Sequence, residues 1–191
     1  MDRLDPRSTA LVLIDLQKGI LARPTAPYTA DQVVAAGVSL ARAWRAAEAP
    51  VVLVRVGWSD GMVDALRQPT EQQMPAPPGG LPPGWMDYVP ELEMAATDIL
   101  VTKRQWGAFY GTELDLQLRR RGVTRLVLGG VSTNFGVEST ARFAWEQNYA
   151  LIFAEDAMSA YDGAMHQFAV TNIFPRLGLI RKTEEVLAAF G

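Results

Sequence analysis

The stretch DILVTKRQWGAFYGTELDLQLRRRGVTRLVLGGVSTNFGVEST, residues 98–140, decides how this chain folds. It opens on a β-rich run, Asp98–Thr102, and continues into a helical stretch over roughly Thr112–Arg121, which Gly122 stops at its C-terminal end. Arg125–Gly129 is a second β-rich run. The small residues of Gly130–Thr133 follow it, and then a helix from about Asn134 to Gln147. Short β-rich runs alternating with helices are the pattern of a parallel sheet covered on both faces.

The alternation extends outward in both directions. Upstream, Ala10–Ile14 is almost continuously apolar, as a strand buried on both sides should be. A helix over roughly Asp31–Glu48 carries Val34, Val38, Leu40 and Trp44 near helical spacing, with Asp31 close enough to its start to favour the dipole. Pro50 ends it, and Val51–Val56 is the next strand. Downstream, Tyr149–Ala154 reads as a strand, Ala164–Phe174 as a helix and Leu179–Arg181 as a short sixth strand. Thr183, with Glu184 and Glu185 behind it, is placed to cap a terminal helix. The expectation is a Rossmann-like three-layer α/β/α sandwich with a central parallel sheet of about six strands, in a single domain over residues 1–191.

One segment breaks the pattern. Between Gly57 and Pro90 the run PAPPGGLPPG is too rich in Pro and Gly for a regular element. It reads either as a floppy insertion or as an ordered loop at a site or subunit contact. Trp85, Met86 and Tyr88 favour the second reading, because they are costly to leave in water without a partner surface.

Composition excludes several functions. With 18 Lys and Arg against 21 acidic residues the net charge is −3, so the clustered positive excess of a nucleic-acid or anionic-membrane surface is missing. There are no cysteines, hence no disulfide, no thiolate metal site and no thiol nucleophile. The start, MDRLDPRSTA, does not read as a signal peptide, and no apolar run approaches the ~20 residues of a membrane span. A cytoplasmic protein is expected.

In open parallel sheets, ligands bind beyond the carboxyl ends of the strands. Asp15 follows the first strand, Lys103 the third, and Gly130-Val131-Ser132-Thr133 the fourth. Each alone has a bland explanation: a turn Asp, a solvated Lys, a glycine turn. Together on one rim they make an acid, a base and a backbone turn that can converge, and a buried Asp–Lys pair can hold a carboxyl poised for proton transfer. No dinucleotide or P-loop fingerprint is present, because Asp-Leu-Gln stands after the first strand and no Gly-Lys-Ser/Thr follows the turn.

These residues resemble the isochorismatase-like hydrolases, a family that includes nicotinamidases, N-carbamoyl amidases and isochorismatases. TALVLIDLQ, the stretch from Val101 to Leu151 and AEDAMSA carry the resemblance, which runs in order from about Thr9 to Leu187. It implies that Asp15 is the acid/base and Lys103 its support, and that Gly136 occupies the position of the family's nucleophilic cysteine. It also implies a cis peptide just before Ser132. Gln17, Trp106, Phe109, Val131, Ser132 and Thr133 are the implied substrate contacts, with Trp106 and Phe109 as aromatic walls, although core packing is the alternative for the aromatics.

Ser132, Thr133 and Ser139 lie near Gly136, but none stands at its position. Isochorismatases proper also carry glycine there and hydrolyse a vinyl ether, the Asp acting as general acid and water adding to the oxocarbenium ion. That route needs a carboxyl raised by burial, which a neighbouring Lys⁺ would oppose. The metal site of nicotinamidases has no counterpart in Val54–Asp60, which holds no histidine. The only histidine, His166, begins a distant helix and reads as a capping or packing residue. Neither metal nor cofactor is expected.

Glu138 reads as a first-turn helix acid, and Arg104 and Arg142 are candidate partners for a substrate carboxylate by charge alone. The partners expected are a small-molecule substrate and further copies of the chain, with no nucleic acid or membrane. Two functions remain open: a cysteine-independent hydrolase, or a catalytically silent protein that uses the same pocket for binding.

Overall fold

The structure, a computed structural model, describes residues 2–72 and 80–191; the part of the expected Pro/Gly-rich loop at 75–79 lies outside them. Six strands, β1 (Thr9–Ile14), β2 (Val51–Val56), β3 (Ile99–Lys103), β4 (Arg125–Val131), β5 (Ala150–Ser159) and β6 (Gly178–Arg181), form one sheet in the order β3-β2-β1-β4-β5-β6. Every pairing is parallel. Helices α1 (Lys18–Leu21), α2 (Ala30–Ala46), α3 (Leu114–Arg120), α4 (Glu138–Glu146), α5 (Gly163–Phe168) and α6 (Thr183–Ala189) supply the crossovers and the terminal layer.

Successive strand residues face opposite sides, so the sheet builds two cores. Ala10, Val12, Ile14, Val52 and Val54 pack with Leu114 and Leu118 of α3 and Ala141 and Ala144 of α4. Leu11, Leu13 and Leu53 pack on the other face with Leu40 and Trp44 of α2 and Val186 of α6. The expected three-layer α/β/α sandwich is the fold observed.

The strand order sets how Asp15 and Lys103 can meet. β1 and β4 are adjacent, but β2 lies between β1 and β3, so the long Lys103 side chain must cross the end of β2. β5 is also longer than its apolar run predicted. Leu128 pairs with Phe153, and Gly130 pairs with Met158, so a single β4 residue faces Ala154–Ala157. That bulge places Glu155 and Asp156 beyond the apolar core.

It also changes the terminal cap. Thr183 is the first residue inside α6, and Asp156 on β5 does the capping: its Oδ1 accepts from the Thr183 N–H at 2.7 Å and from its hydroxyl at 2.8 Å.

Beyond residue 80 the insertion is an ordered strap. Gly19 N–H donates to Trp85 O, Lys18 N–H to Asp87 O, and Val89 N–H to Leu16 O. The buried Tyr88 hydroxyl donates to Leu53 O at 2.7 Å. The Trp85 indole lies where a Gly19 side chain would stand, and Met86 Sδ does the same at Gly57. The partner surface that Trp85, Met86 and Tyr88 require is therefore the chain's own rim at β1 and β2.

Candidate active site

Asp15 leaves β1 in the left-handed region, φ 53°, a conformation that Asp tolerates better than most residues. Its N–H donates to Val54 O at 2.8 Å, which ties it to β2. Lys103 closes β3, and its Nζ donates to Asp15 Oδ2 at 2.7 Å and to Gln105 O at 3.2 Å. Both side chains are almost wholly buried. The second carboxylate oxygen, Oδ1, has no hydrogen-bond partner.

A buried oxygen without a partner is the arrangement that penalises the charged form. Burial pushes the Asp15 carboxyl up, Lys103 pulls it down by charge and hydrogen bond with a smaller pull from the Val56 backbone, and burial prevails, leaving it at about 6.

Gly136 completes the constellation. At the end of β4 the Val131–Ser132 peptide is cis, and a π-turn, Thr133–Val137, leads into α4. Gly130 permits the close approach of β4 to β1: its φ is +119°, and a Cβ there would overlap the Ile14 carbonyl. A Cβ at Gly136 would stand 3.3 Å from Asp15 Oδ2, 3.0 Å from Ile14 Cγ2 and 3.7 Å from Trp106 O. A side chain at position 136 would therefore start in close contact with the Asp15 carboxyl.

The expected substrate contacts divide. Trp106 presents its backbone to the Gly136 gap, and its half-exposed indole packs on Phe135 at 4.8 Å between centroids. Ser132 is buried, with its hydroxyl donating to Asn134 Oδ1 at 2.7 Å. Val131 packs in the core on the α2 side.

Gln17 is fully buried, and its amide is engaged with backbone. Nε2 donates to Val56 O and Trp85 O, and Oε1 accepts from Val56 N–H, so the side chain staples β2 and the strap to the end of β1. Phe109 packs against Phe143 and Tyr149 within the core on the α3–α4 side. For Phe109, then, the core-packing alternative describes the observed contacts.

Arg104 and Arg142 are both paired internally, with Asp64 at 2.7 Å and Glu138 at 2.9 Å. Glu138 is the first residue of α4, as expected. Among the described residues no three His, Cys, Asp or Glu side chains cluster as metal ligands.

His166 corrects the expectation most clearly. It lies within α5, but it is not distant from the site: Nδ1 is 2.9 Å from Thr133 Oγ1. Thr133 is fully buried, and this bond engages its hydroxyl. Nothing local in the sequence marks the pair, which are 33 positions apart.

With the geometry assembled, comparison with known proteins identifies the class. The isochorismatase domain family matches residues 9–185, so this chain belongs to that family. The uncharacterised isochorismatase family protein YecD of Escherichia coli O157:H7 is 50% identical over 99% of this chain and 100% of its own length. The ureidoacrylate amidohydrolase RutB of Methylobacterium radiotolerans is 30% identical over 98% of this chain and 81% of its own. An isochorismatase family protein from Burkholderia thailandensis, 44% identical, superposes with a TM-score of 0.92 over 99% of this chain and 98% of that one.

Proposed function

We propose that this protein hydrolyses a small molecule without a nucleophilic thiol, using Asp15 as a general acid toward a bond that water then cleaves, with Gly136 at the position of the family's cysteine. The observation that carries the reading is the state of Asp15. One of its oxygens is bonded to Lys103, the other is buried without a partner, and its carboxyl is raised to about 6. At neutral pH about a tenth of such a group holds a proton, enough for it to serve as an acid.

The amidohydrolase name of RutB describes that relative. In this chain the thioester route is closed, because there is no cysteine. A vinyl ether or a related C–O bond is therefore the preferred substrate bond over an amide. Asp15 gives its proton to the enol-ether carbon, and water adds to the resulting oxocarbenium centre and returns a proton to the carboxylate. The hemiketal so formed collapses, its original C–O bond breaking to release an alcohol and leave a carbonyl. Lys103 holds the carboxyl in place through Oδ2. Gly136 lets the turn come close to the carboxyl, since a Cβ there would already crowd Asp15 Oδ2 and Ile14.

The test is a screen of enol ethers, esters and amides with the wild type and Asp15→Asn. Turnover that depends on Asp15 supports the proposal. Saturable binding without turnover of any of these substrates would replace it with the silent binding reading, and turnover that Asp15→Asn leaves intact would remove the acid role.

A further inference from the structure

The chain's single histidine has no part in the chemistry above, yet it is among the most buried polar side chains of the molecule, 1% exposed. It bridges three elements. From α5 its Nδ1 meets Thr133 Oγ1 at 2.9 Å, and its Nε2 meets Glu155 Oε1 on the β5 bulge at 3.1 Å. Glu155 also accepts from the Tyr28 hydroxyl, at 3.0 and 2.9 Å to its two oxygens, and from Lys182.

Burial raises the Glu155 carboxyl, but the bonds from His166, Lys182 and Tyr28 outweigh it and bring the group down to about 2. An ionised carboxylate can only accept, so Nε2 must carry a hydrogen. In the neutral ring the Nδ1 lone pair is then left for the Thr133 hydroxyl. The direction of both bonds is set from the Glu155 end.

Thr133 is the first residue of the π-turn, and its carbonyl accepts from the Glu138 N–H. At the far side of the turn the Thr140 hydroxyl donates to Gly136 O at 2.7 Å and accepts from the Ala108 N–H at 3.1 Å. The residue facing Asp15 is thus suspended between two threonines, each fixed by a side-chain hydrogen bond.

We propose that His166 is a positioning residue of the candidate active site: through its hydrogen bond to Thr133 it fixes the start of the turn that holds Gly136 opposite Asp15. A hydrocarbon of similar size would fill the space but leave the buried Thr133 hydroxyl without its partner. The inference rests on the reading that this turn belongs to the active site, but its tests need no substrate. Their failure would strike the role of His166 alone, and absence of turnover would leave that role standing.

Because the chain has one histidine, two-bond ¹H–¹⁵N NMR of the wild type in mildly alkaline buffer reports on this ring only. The expected result is the Nε2–H tautomer; a proton on Nδ1 would overturn the proposal.

Amide exchange across residues 132–140 supplies the second readout. Thr133→Val, which keeps the shape and removes the hydroxyl, and His166→Phe are each expected to speed exchange there about tenfold, with the double variant no faster than either single. His166→Gln, whose amide can accept from Thr133 and donate to Glu155, is expected to stay within about twofold of wild type. Wild-type exchange in Thr133→Val, or a Phe variant that outperforms Gln, would show that His166 only fills space. Should the Phe variant fail to fold, Thr133→Val carries the test.

Discussion

Asp15 and Glu155 are both carboxylates held out of water at the carboxyl side of the sheet, each in contact with a lysine, and their surroundings drive them in opposite directions. Asp15 has one bonded oxygen and one buried oxygen with no partner, and it is raised to about 6. Glu155 has both oxygens bonded, by Tyr28, His166 and Lys182, and it is lowered to about 2. An ion-pair partner alone therefore does not decide the charge of a carboxyl. What separates these two is that Asp15 is buried more deeply and keeps one oxygen without a partner, whereas both oxygens of Glu155 are bonded. The satisfied carboxylate is structural, and the unsatisfied one is proposed to do chemistry.

The contrast can be broken at either end. The largest effect is expected at Asp15. Asp15→Asn keeps the shape but loses the titratable proton, and turnover of whichever substrate the screen identifies should fall by about 10²–10⁴. Loss of less than tenfold would mean that the unsatisfied carboxyl is not the acid.

Gly136→Cys is the next test. The new Cβ must settle against Ile14 and Asp15, at an expected cost of about 1 kcal/mol in thermal or urea unfolding. In exchange, a thiol would sit beside the raised carboxyl. Measurable hydrolysis of ureido or carbamoyl amides, undetected in the wild type, is the expected gain, read by ammonia release.

At the satisfied end, Glu155→Gln should lower stability at neutral pH by on the order of 2 kcal/mol, allowing for the exposed Lys182. Because the folded-state pKa lies below the unfolded value, the stabilisation is complete above about 4.5 and is lost as pH falls through about 2. The wild type and the variant should therefore converge in acid unfolding curves.

Asp15 has the opposite sign. Its folded-state pKa is raised, so the stability it confers is full below its ordinary 3.8 and is lost as pH rises through about 6. The smallest effect is expected at Arg142→Gln, which removes an exposed i,i+4 pair with Glu138 and should change stability by less than about 0.5 kcal/mol.

The unsatisfied end of the comparison was legible in the sequence, and the satisfied end was not, for a physical reason. Asp15, Lys103 and the Gly130–Thr133 turn each stand at the end of a strand, and strand ends can be read locally, whereas Gly136 was marked by the family resemblance alone. The rim rule then groups them without knowledge of the strand order, even though β2 turned out to separate β1 from β3. The layers were legible for the same reason, because hydrophobic period is a local signal.

The His166–Glu155–Thr133 network depends on a β5 bulge, and the bulge is visible only once β5 is paired against β4. Asp156 capping α6, and Gln17 joining β2 to the strap, are likewise long-range bonds between residues whose neighbours say nothing about them. Phe109 shows the remaining ambiguity: an aromatic after a site lysine serves equally as a pocket wall or a core residue, and here its observed contacts are those of the core.

The central claim is that Asp15 retains a proton into the working pH range because its carboxyl is deeply buried, with one oxygen lacking a partner. Titration of the side-chain carboxyls by ¹³C NMR, with Asp15→Asn used to assign the signal, tests it most directly and needs no substrate. The account predicts an Asp15 midpoint near 6, well above that of Glu155 at about 2. An Asp15 midpoint at or below its ordinary 3.8 would contradict it.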